Sequence, residues 1–460
     1  MEVQIDKPVT TKKEWPSLSK NSFLRYFSFS FLYIAQGIPE GMTYFAIPAW
    51  LAMNGKTPAE IGAFIGVIGI PWSFKIVVAP LMDRFSFLPM GRRRPWVLFG
   101  QLGLIAAFIA MAFVPDPLNN LSLFMAAGFC VSFFGAFQDV ATDGMAIDVI
   151  PLKEQARANG LMWGAKIMGI ATSLSIGTWI INRFGFQQAV LSLSLAVCFI
   201  MLVPLLLRER PGEKLLPWTK GAASPETVKM HLDSFAKIFK SLFKVFILPS
   251  SLWMAAAFFL FNISIGLTDA LLPVFTIQEI GWNNEKYSNL FSTVSLASGF
   301  LGMVAGGALA DLFGKRKVMA IYLLAFIGVF VAMAFMKSWW RTDHFITGFM
   351  CLYYVLYTFI TIASFAIGMA LCWSRVSATQ FTLYMAIANV GRAFGAYLLG
   401  PLKQNFPWEH VILSAGVLAL GSLFFVIILR LKKHIVRLDC IEASEVLNDG
   451  LYSEQLVAEK

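Results

Sequence analysis

The chain consists of long apolar runs separated by short polar connections, and few folds accommodate that pattern. One early run reads "FSFSFLYIAQGIPEGMTYFAIPAWLAM" and one near the end "VILSAGVLALGSLFFVIILR". A helix that crosses a bilayer needs about 20 predominantly apolar residues. Twelve segments meet that requirement: 22–50, 59–82, 96–114, 121–146, 158–182 and 188–207, then 250–275, 287–311, 318–336, 345–373, 378–402 and 410–430. They are numbered here as spans one to twelve. The composition agrees, with 57% hydrophobic and 14% charged residues, against about 25% charged in soluble domains. The pattern predicts an all-α membrane protein of twelve transmembrane helices. Gly37 and Pro39 fall inside span one, where neighbouring helices can satisfy the backbone groups they free.

The net charge of +10 could suggest a nucleic-acid partner, but the placement of the charges argues against one. Of 37 Lys and Arg, 28 lie at the two tails and in the even-to-odd connections, with Arg25 and Arg430 at the span ends counted with the tails they adjoin, six in the opposite connections and three deeper inside spans. By the positive-inside rule both termini are cytoplasmic. The expected partners are a bilayer, a small solute and protons, with the chain acting as a monomer in the inner membrane. The five Cys and four His form no cluster, so neither a metal nor a cofactor is expected. The first 21 residues are polar and lack the apolar core of a cleaved signal. The organisation reads as a tail over 1–21, a first six-helix half over 22–207, a linker over 208–249, a second half over 250–430, and a tail over 431–460. Within the linker, "KMHLDSFAKIFKSLFKVF" has apolar residues near helical spacing beside Lys237, Lys240 and Lys244. That is the pattern of an amphipathic interfacial helix.

The halves repeat one another. "APLMDRFSFLPMGRRR" follows span two and "GGALADLFGKRK" follows span eight, with Asp83 and Asp311 each preceding a Gly and a basic triplet. "GAKIMG" in span five and "VGRAFG" in span eleven place Lys166 and Arg392 at a similar offset. Duplicated halves are how many transporters build alternating access, with a solute site near the midplane.

Charged residues inside spans cost about 2.5–3.5 kcal/mol each on insertion scales, so their presence points to function. At about 1.5 Å per residue, Asp139, Lys166 and Lys75 share one level in the cytoplasmic half of the membrane. Asp143 lies about one turn nearer the cytoplasm, on the same helix face as Asp139. Two such carboxylates form a candidate proton-carrying pair, with Asp139–Lys166 as a purely structural salt bridge the competing reading. Arg392 lies near mid-depth, where its fork needs an anion from protein or solute. Asp269 and Glu40 lie in the outer halves of spans seven and one, as partners of Arg392 or as vestibule residues. Gln36, Glu40 and Tyr44 make a polar stripe along span one, and Gln138 precedes Asp139. Asp148 reads as a rim residue before a loop, "PLKEQARANG". Trp72, Trp96, Trp163 and Trp373 fall toward inner span ends and read as interfacial anchors.

Three stretches carry a more specific resemblance. "PWSFKIVVAPLMDRFSFLPMGRRRPW", "FQDVATDGMAIDVIPLKEQARANG" and "SATQFTLYMAIANVGRAFG" resemble the AmpG-like permeases, a branch of the major facilitator superfamily that also holds acetyl-CoA transporters. The resemblance implies the major facilitator fold and proton-driven import of anhydro-muropeptides, with Asp139, Asp143, Lys75 and Arg392 among the functional positions. It also implies a conformational latch in the two Gly-basic loops, from Asp83, Arg84, Arg92, Arg93, Arg94, Asp311, Gly314, Lys315 and Arg316. Three departures are the Lys166 that stands where the branch usually has Arg, the absence of a Lys the branch commonly has just before the span-seven acidic residue although Asp269 remains, and a chain that ends after twelve spans. The expected solute ligands are Arg392, Lys166, Lys75, Gln138, Gln36, Glu40, Tyr44 and Asp269. Alternative readings are a permease for a siderophore or another anionic amphiphile, and a sensor that does not transport. An enzyme is not expected, because no nucleophile–base set or metal ligand group is visible.

Overall fold

The computed structural model describes residues 17–225, 227, 235–306, 309, 312–373, 376–441 and 443. Among the described residues helix occupies most of each of the twelve predicted spans, and these residues contain one isolated β-bridge, Ser17 to Arg208, and no strand. Nine helices among the described residues are individually long and apolar enough to cross a membrane. The other three spans, one, eight and eleven, are the more polar ones, with Glu40, a run of serines, and Asn389 with Arg392 respectively.

Prolines shape the helices that position the site. Span one runs Ser22–Glu40, passes through a π-helical turn Gly41–Ala46, and continues as Ile47–Met53. Span seven runs Pro249–Val274 and ends in a π turn, Phe275–Glu279. Pro39, Pro48 and Pro273 each remove an intrahelical hydrogen bond, and π geometry lies next to the missing bonds. Thr43 donates its hydroxyl to the Pro39 carbonyl and Thr276 to that of Leu272, both at 2.7 Å. Span two starts at Pro58 behind a Thr57–Glu60 capping box and is interrupted by a 3-10 turn, Ile70–Phe74, that contains Pro71.

The repeat is physical. In the first half a β-carbon at Gly37 would lie 2.3 Å from the Lys166 carbonyl oxygen; in the second, one at Gly266 would lie 1.8 Å from that of Arg392. Gly169 and Gly395 meet the carbonyls of Ile34 and Ile263 at 2.5 and 2.0 Å in the same way. Spans one and five, and spans seven and eleven, therefore cross backbone to backbone, which only glycine permits. The loop glycines Gly91 and Gly314 also match, at φ 101° and 88°.

Between the halves, hydrogen bonds run from Asn389–Trp72 toward the Met53 end. Thr178 and Ser288 hydroxyls lie 2.8 Å apart, Ser175 donates to Ser292 at 2.9 Å, and Asn182 and Asn284 exchange bonds at 3.0 and 2.8 Å. Gln278 donates to the carbonyls of Ala52 and Lys56, and Phe45 packs on Phe291 at 4.1 Å between ring centres. The halves are thus sealed at the Met53 end.

One expectation is corrected here, and two polar segments gain structure. "PLKEQARANG" is not a loop: span four extends to Val149 and span five begins at Leu152, with Pro151 just before the first helical residue. Its Leu, Lys, Glu, Gln, Arg and Ala are strong helix formers, and proline is tolerated at a helix start. The first part of the linker is not a free connection, because Glu209 accepts from the backbone N–H groups of Arg92, Arg93 and Arg94 at 3.0, 2.9 and 2.5 Å. The C-terminal tail starts with a helix over 431–441, which packs beside the linker helix Phe235–Phe246.

Candidate functional site

Six helices from both halves meet in one cluster of charge. Lys75 of span two forms an ion pair with Asp139 of span four. One turn along span four, Asp143 accepts a 2.5 Å hydrogen bond from the Tyr33 hydroxyl of span one. Glu40, two turns further along span one, faces Lys166 of span five at 3.1 Å through one oxygen. Its other oxygen faces Arg392 of span eleven at 3.4 Å. Arg392 also donates from Nε to Asp269 of span seven at 2.8 Å.

Aromatic faces hold the cations in place. Lys75 and Lys166 both lie over the Trp72 ring, at 4.9 and 5.5 Å from its centre, and Arg392 lies over Tyr44 at 4.6 Å. Each contact is worth about 0.5–2 kcal/mol, more where water is excluded. The three cations retain 16, 13 and 18% of their side-chain exposure, against 4 and 6% for Asp269 and Asp139. Glu40 keeps 14%, so the more exposed of these paired groups are the three cations together with Glu40.

The charges do not balance. Four carboxylates (Glu40, Asp139, Asp143 and Asp269) face three cations (Lys75, Lys166 and Arg392). Asp143 is the surplus acid: among the described residues no Lys or Arg lies within ion-pair distance of it, and its hydrogen-bond donor is a neutral phenol.

The geometry corrects several sequence readings. Lys166 does not pair with Asp139; it takes Glu40, while Asp139 takes Lys75, because helix rotation rather than depth selects the partner. Of the two readings of Glu40 and Asp269, pairing with Arg392 is the one the geometry shows. Trp72 and Trp373 are buried, at 8 and 1% exposure, rather than anchors at a lipid boundary. Trp163 stays half exposed. Gln36 and Tyr44 are buried, and Gln138 donates to the Leu32 carbonyl at 3.2 Å. Among the described residues the Gln36 amide and the Gln138 carbonyl oxygen have no hydrogen-bond partner. Sequence reasoning missed Tyr33, although it continues the Gln36–Glu40–Tyr44 stripe back by one turn. It also missed Tyr357 of span ten, which lies within electrostatic reach of Arg392, Asp269, Glu40 and Lys166.

The Gly-basic loops bind the Ser22 end of each half. The Arg94 guanidinium donates to the carbonyls of Pro204 at 2.5 Å and Leu205 at 3.3 Å, where the helix of span six ends, and to those of Lys214 and Leu215. Arg316 donates to Leu429, just past the helix of span twelve, at 2.8 Å. A cation at a helix C-terminus satisfies free carbonyls and favours the dipole. Arg92 and Arg93 lie 3.4 and 3.5 Å from Asp148, which is buried against them rather than placed at a solvated rim. Gly314 and Lys315 open span nine. Asp311 and the side chains of Asp83 and Arg84 lie outside the described residues, as does Met230 of the linker. Burial and the neighbouring Glu209 push the Glu213 carboxyl up to about 7, and burial also raises Glu209.

The family model of the Major Facilitator Superfamily matches residues 29–396. The chain belongs to the Major Facilitator Superfamily. Among its relatives in this superfamily is the anhydromuropeptide permease of Escherichia coli K12, 24% identical over 86% of this chain and 78% of that protein. Two putative transporters of Rickettsia felis, AmpG 1 and AmpG 4, are 22 and 24% identical over 83 and 89% of this chain, and 93 and 98% of their own lengths. The solved nucleoside transporter NupG superposes with a TM-score of 0.64 at 14% identity, over 88% of this chain and 98% of its own. At that identity the likeness shows the fold alone. A multi-pass membrane transporter of the major facilitator fold accounts for the repeat, the inter-half charge cluster and the sealed Met53 end.

Proposed function

We propose that the chain is a proton-coupled importer of anhydro-muropeptides, serving peptidoglycan recycling from the inner membrane with both termini in the cytoplasm. The relatives named above support the solute, and the charge imbalance carries the coupling. Three cations neutralise three of the four carboxylates, and the cluster is neutral when Asp143 holds a proton. An unpaired buried charge costs several kcal/mol. A solute carboxylate that takes Arg392 or Lys166 displaces Glu40 and leaves a further unpaired acid, and a proton offsets it. Asp143 and Asp139 are the proton-carrying residues in this reading. Arg392, Lys166 and Lys75 hold the anionic end of the solute, and Trp72, Tyr44, Gln36 and Gln138 flank it. In this reading the Gly-basic loops are the latch at the cytoplasmic end, and the inter-half hydrogen bonds at the Met53 end are the outer gate.

The test is uptake into proteoliposomes under an inward proton gradient, with labelled anhydro-muropeptides, a siderophore and an acyl-CoA compared side by side. Muropeptide should accumulate, accumulation should collapse with an uncoupler, and Asp143→Asn should retain exchange but lose gradient-driven accumulation. Gradient-independent accumulation would remove the coupling, preferential uptake of either other solute would change the substrate, and binding without counterflow would favour a sensor.

A further inference from the structure

Two helices that are not membrane spans pack together at the Ser22 end. The linker helix Phe235–Phe246 ends just before Pro249, where span seven starts. The terminal helix over 431–441 begins just after Ile428, where span twelve stops. Two or three connecting residues reach about 10 Å at most, so each helix starts or ends at the membrane boundary. Val245 and Leu438 pack with Trp373 and Val376 in a small apolar core of their own. His434 lies 2.9 Å from the Leu371 carbonyl, and the Phe246 ring lies 5.6 Å from that of Tyr384. The pair is therefore seated on the connection between spans ten and eleven.

Its outer surface combines two features that rarely coexist on a solvated helix. Phe243 and Val436 are 69 and 61% exposed, and Ile247 and Ile435 are exposed as well. Lys240, Lys432, Lys433 and Arg437 are exposed around them, and Asp439 is the one acid within these two helical segments. An apolar strip fringed by basic groups at the membrane boundary matches a leaflet, which offers acyl chains to the strip and phosphates to the fringe. Basic residues near an anionic surface are drawn to it, and the attraction falls off within a Debye length.

We propose that these two helices form a docking surface for anionic phospholipid headgroups of the leaflet at the Ser22 end. Because the pair rests on the connection into span eleven, the bound leaflet braces the helix that carries Arg392.

The experiment uses the full chain in a neutral detergent, titrated with phosphatidylglycerol, phosphatidylcholine or inorganic phosphate while thermal unfolding is followed. Phosphatidylglycerol should raise the unfolding midpoint, and the other two should not. Replacing Lys240, Lys432, Lys433 and Arg437 by Gln should weaken the apparent affinity for phosphatidylglycerol by about tenfold or more. A second variant with Lys240, Lys432 and Lys433 replaced by Arg keeps the charge and should keep the effect, which separates lost binding from lost folding. An unchanged response in the Gln variant, or an equal response to phosphatidylcholine or to phosphate alone, overturns the proposal.

Discussion

Glu40 of span one touches Arg392 of span eleven at 3.4 Å, across the boundary between the two halves. The same carboxylate holds Lys166 of its own half at 3.1 Å, and Arg392 holds Asp269 of its own half at 2.8 Å. Each half thus supplies one acid and one base at equivalent places on equivalent helices, and Glu40 joins the two pairs.

Glu40→Gln should reduce uptake more than tenfold while the protein still folds. The substitution keeps the shape and leaves Arg392 on Asp269, but it leaves Lys166 without a counter-charge. Removing one partner of a buried pair costs about 3–5 kcal/mol when nothing compensates. Glu40→Asp, which keeps the charge on a shorter arm, should recover part of the activity. Uptake together with unfolding midpoints checks this, and equal uptake in wild type and Glu40→Gln would remove the inter-half contact from the cycle.

Gly37→Ala and Gly266→Ala should each destabilise the protein by several kcal/mol, since the added carbon would lie 2.3 and 1.8 Å from a facing backbone carbonyl. Gly160→Ala, with nothing within 4 Å of the added carbon, should be neutral or stabilise by up to about 1 kcal/mol through helix propensity. Thermal or denaturant unfolding of the three variants in one detergent makes the comparison.

Lys75→Met should lower stability by leaving Asp139 unpaired, and the double variant Lys75→Met/Asp139→Leu should recover it, since a buried ion pair is often replaceable by apolar residues. Transport separates the two roles of Asp139. A brace predicts that the double variant transports as well as it folds; a proton or solute role predicts that it folds and does not transport. We expect the latter.

Thr178→Cys/Ser288→Cys, in a background without the five native cysteines, should cross-link under oxidation, since the native hydroxyls lie 2.8 Å apart. The bond should hold the Met53 end shut and stop uptake, and reductant should restore it. Uptake that continues while the cross-link is intact would show that spans five and eight need not separate.

Glu213 gives the segment after span six a pH dependence. Its oxygens accept from the Arg210 backbone N–H at 3.0 Å and from the Thr227 hydroxyl at 2.9 Å. Burial, then Glu209, raises its folded pKa from 4.5 to about 7. Between those values the folded state binds more protons than the unfolded one, so stability falls as pH rises through this window. Hydrogen exchange over 208–225 should be slower at pH 5 than at pH 8, beyond the intrinsic rate change, and Glu213→Gln should flatten the difference.

The spans, the duplication and the polar positions were legible in the sequence because each follows from a local rule. Apolar run length gives a span, a matched offset gives a repeat, and a charge in an apolar run is conspicuous by its cost. Lys166 and Arg392 were picked out as equivalent on that basis, and the crossings at Gly37 and Gly266 agree. The π turns were not legible, since the prolines mark where a bond is lost but not how the backbone recovers. Nor was the helical start of "PLKEQARANG", whose polarity resembled a loop while its propensities favoured helix.

The sequence by itself determined where the long apolar runs lie, which residues carry charge into them, and roughly at what level along each. The tertiary structure decided which acid meets which base. Depth placed Asp139, Lys75 and Lys166 on one level and could not choose between the two lysines. The choice depends on the rotation of each helix about its own axis and on how closely neighbours approach. Gly37 and Gly169 let spans one and five come together, so Lys166 meets Glu40 and Asp139 is left to Lys75. The remaining acid, Asp143, meets only Tyr33, and that pairing made the charge imbalance visible.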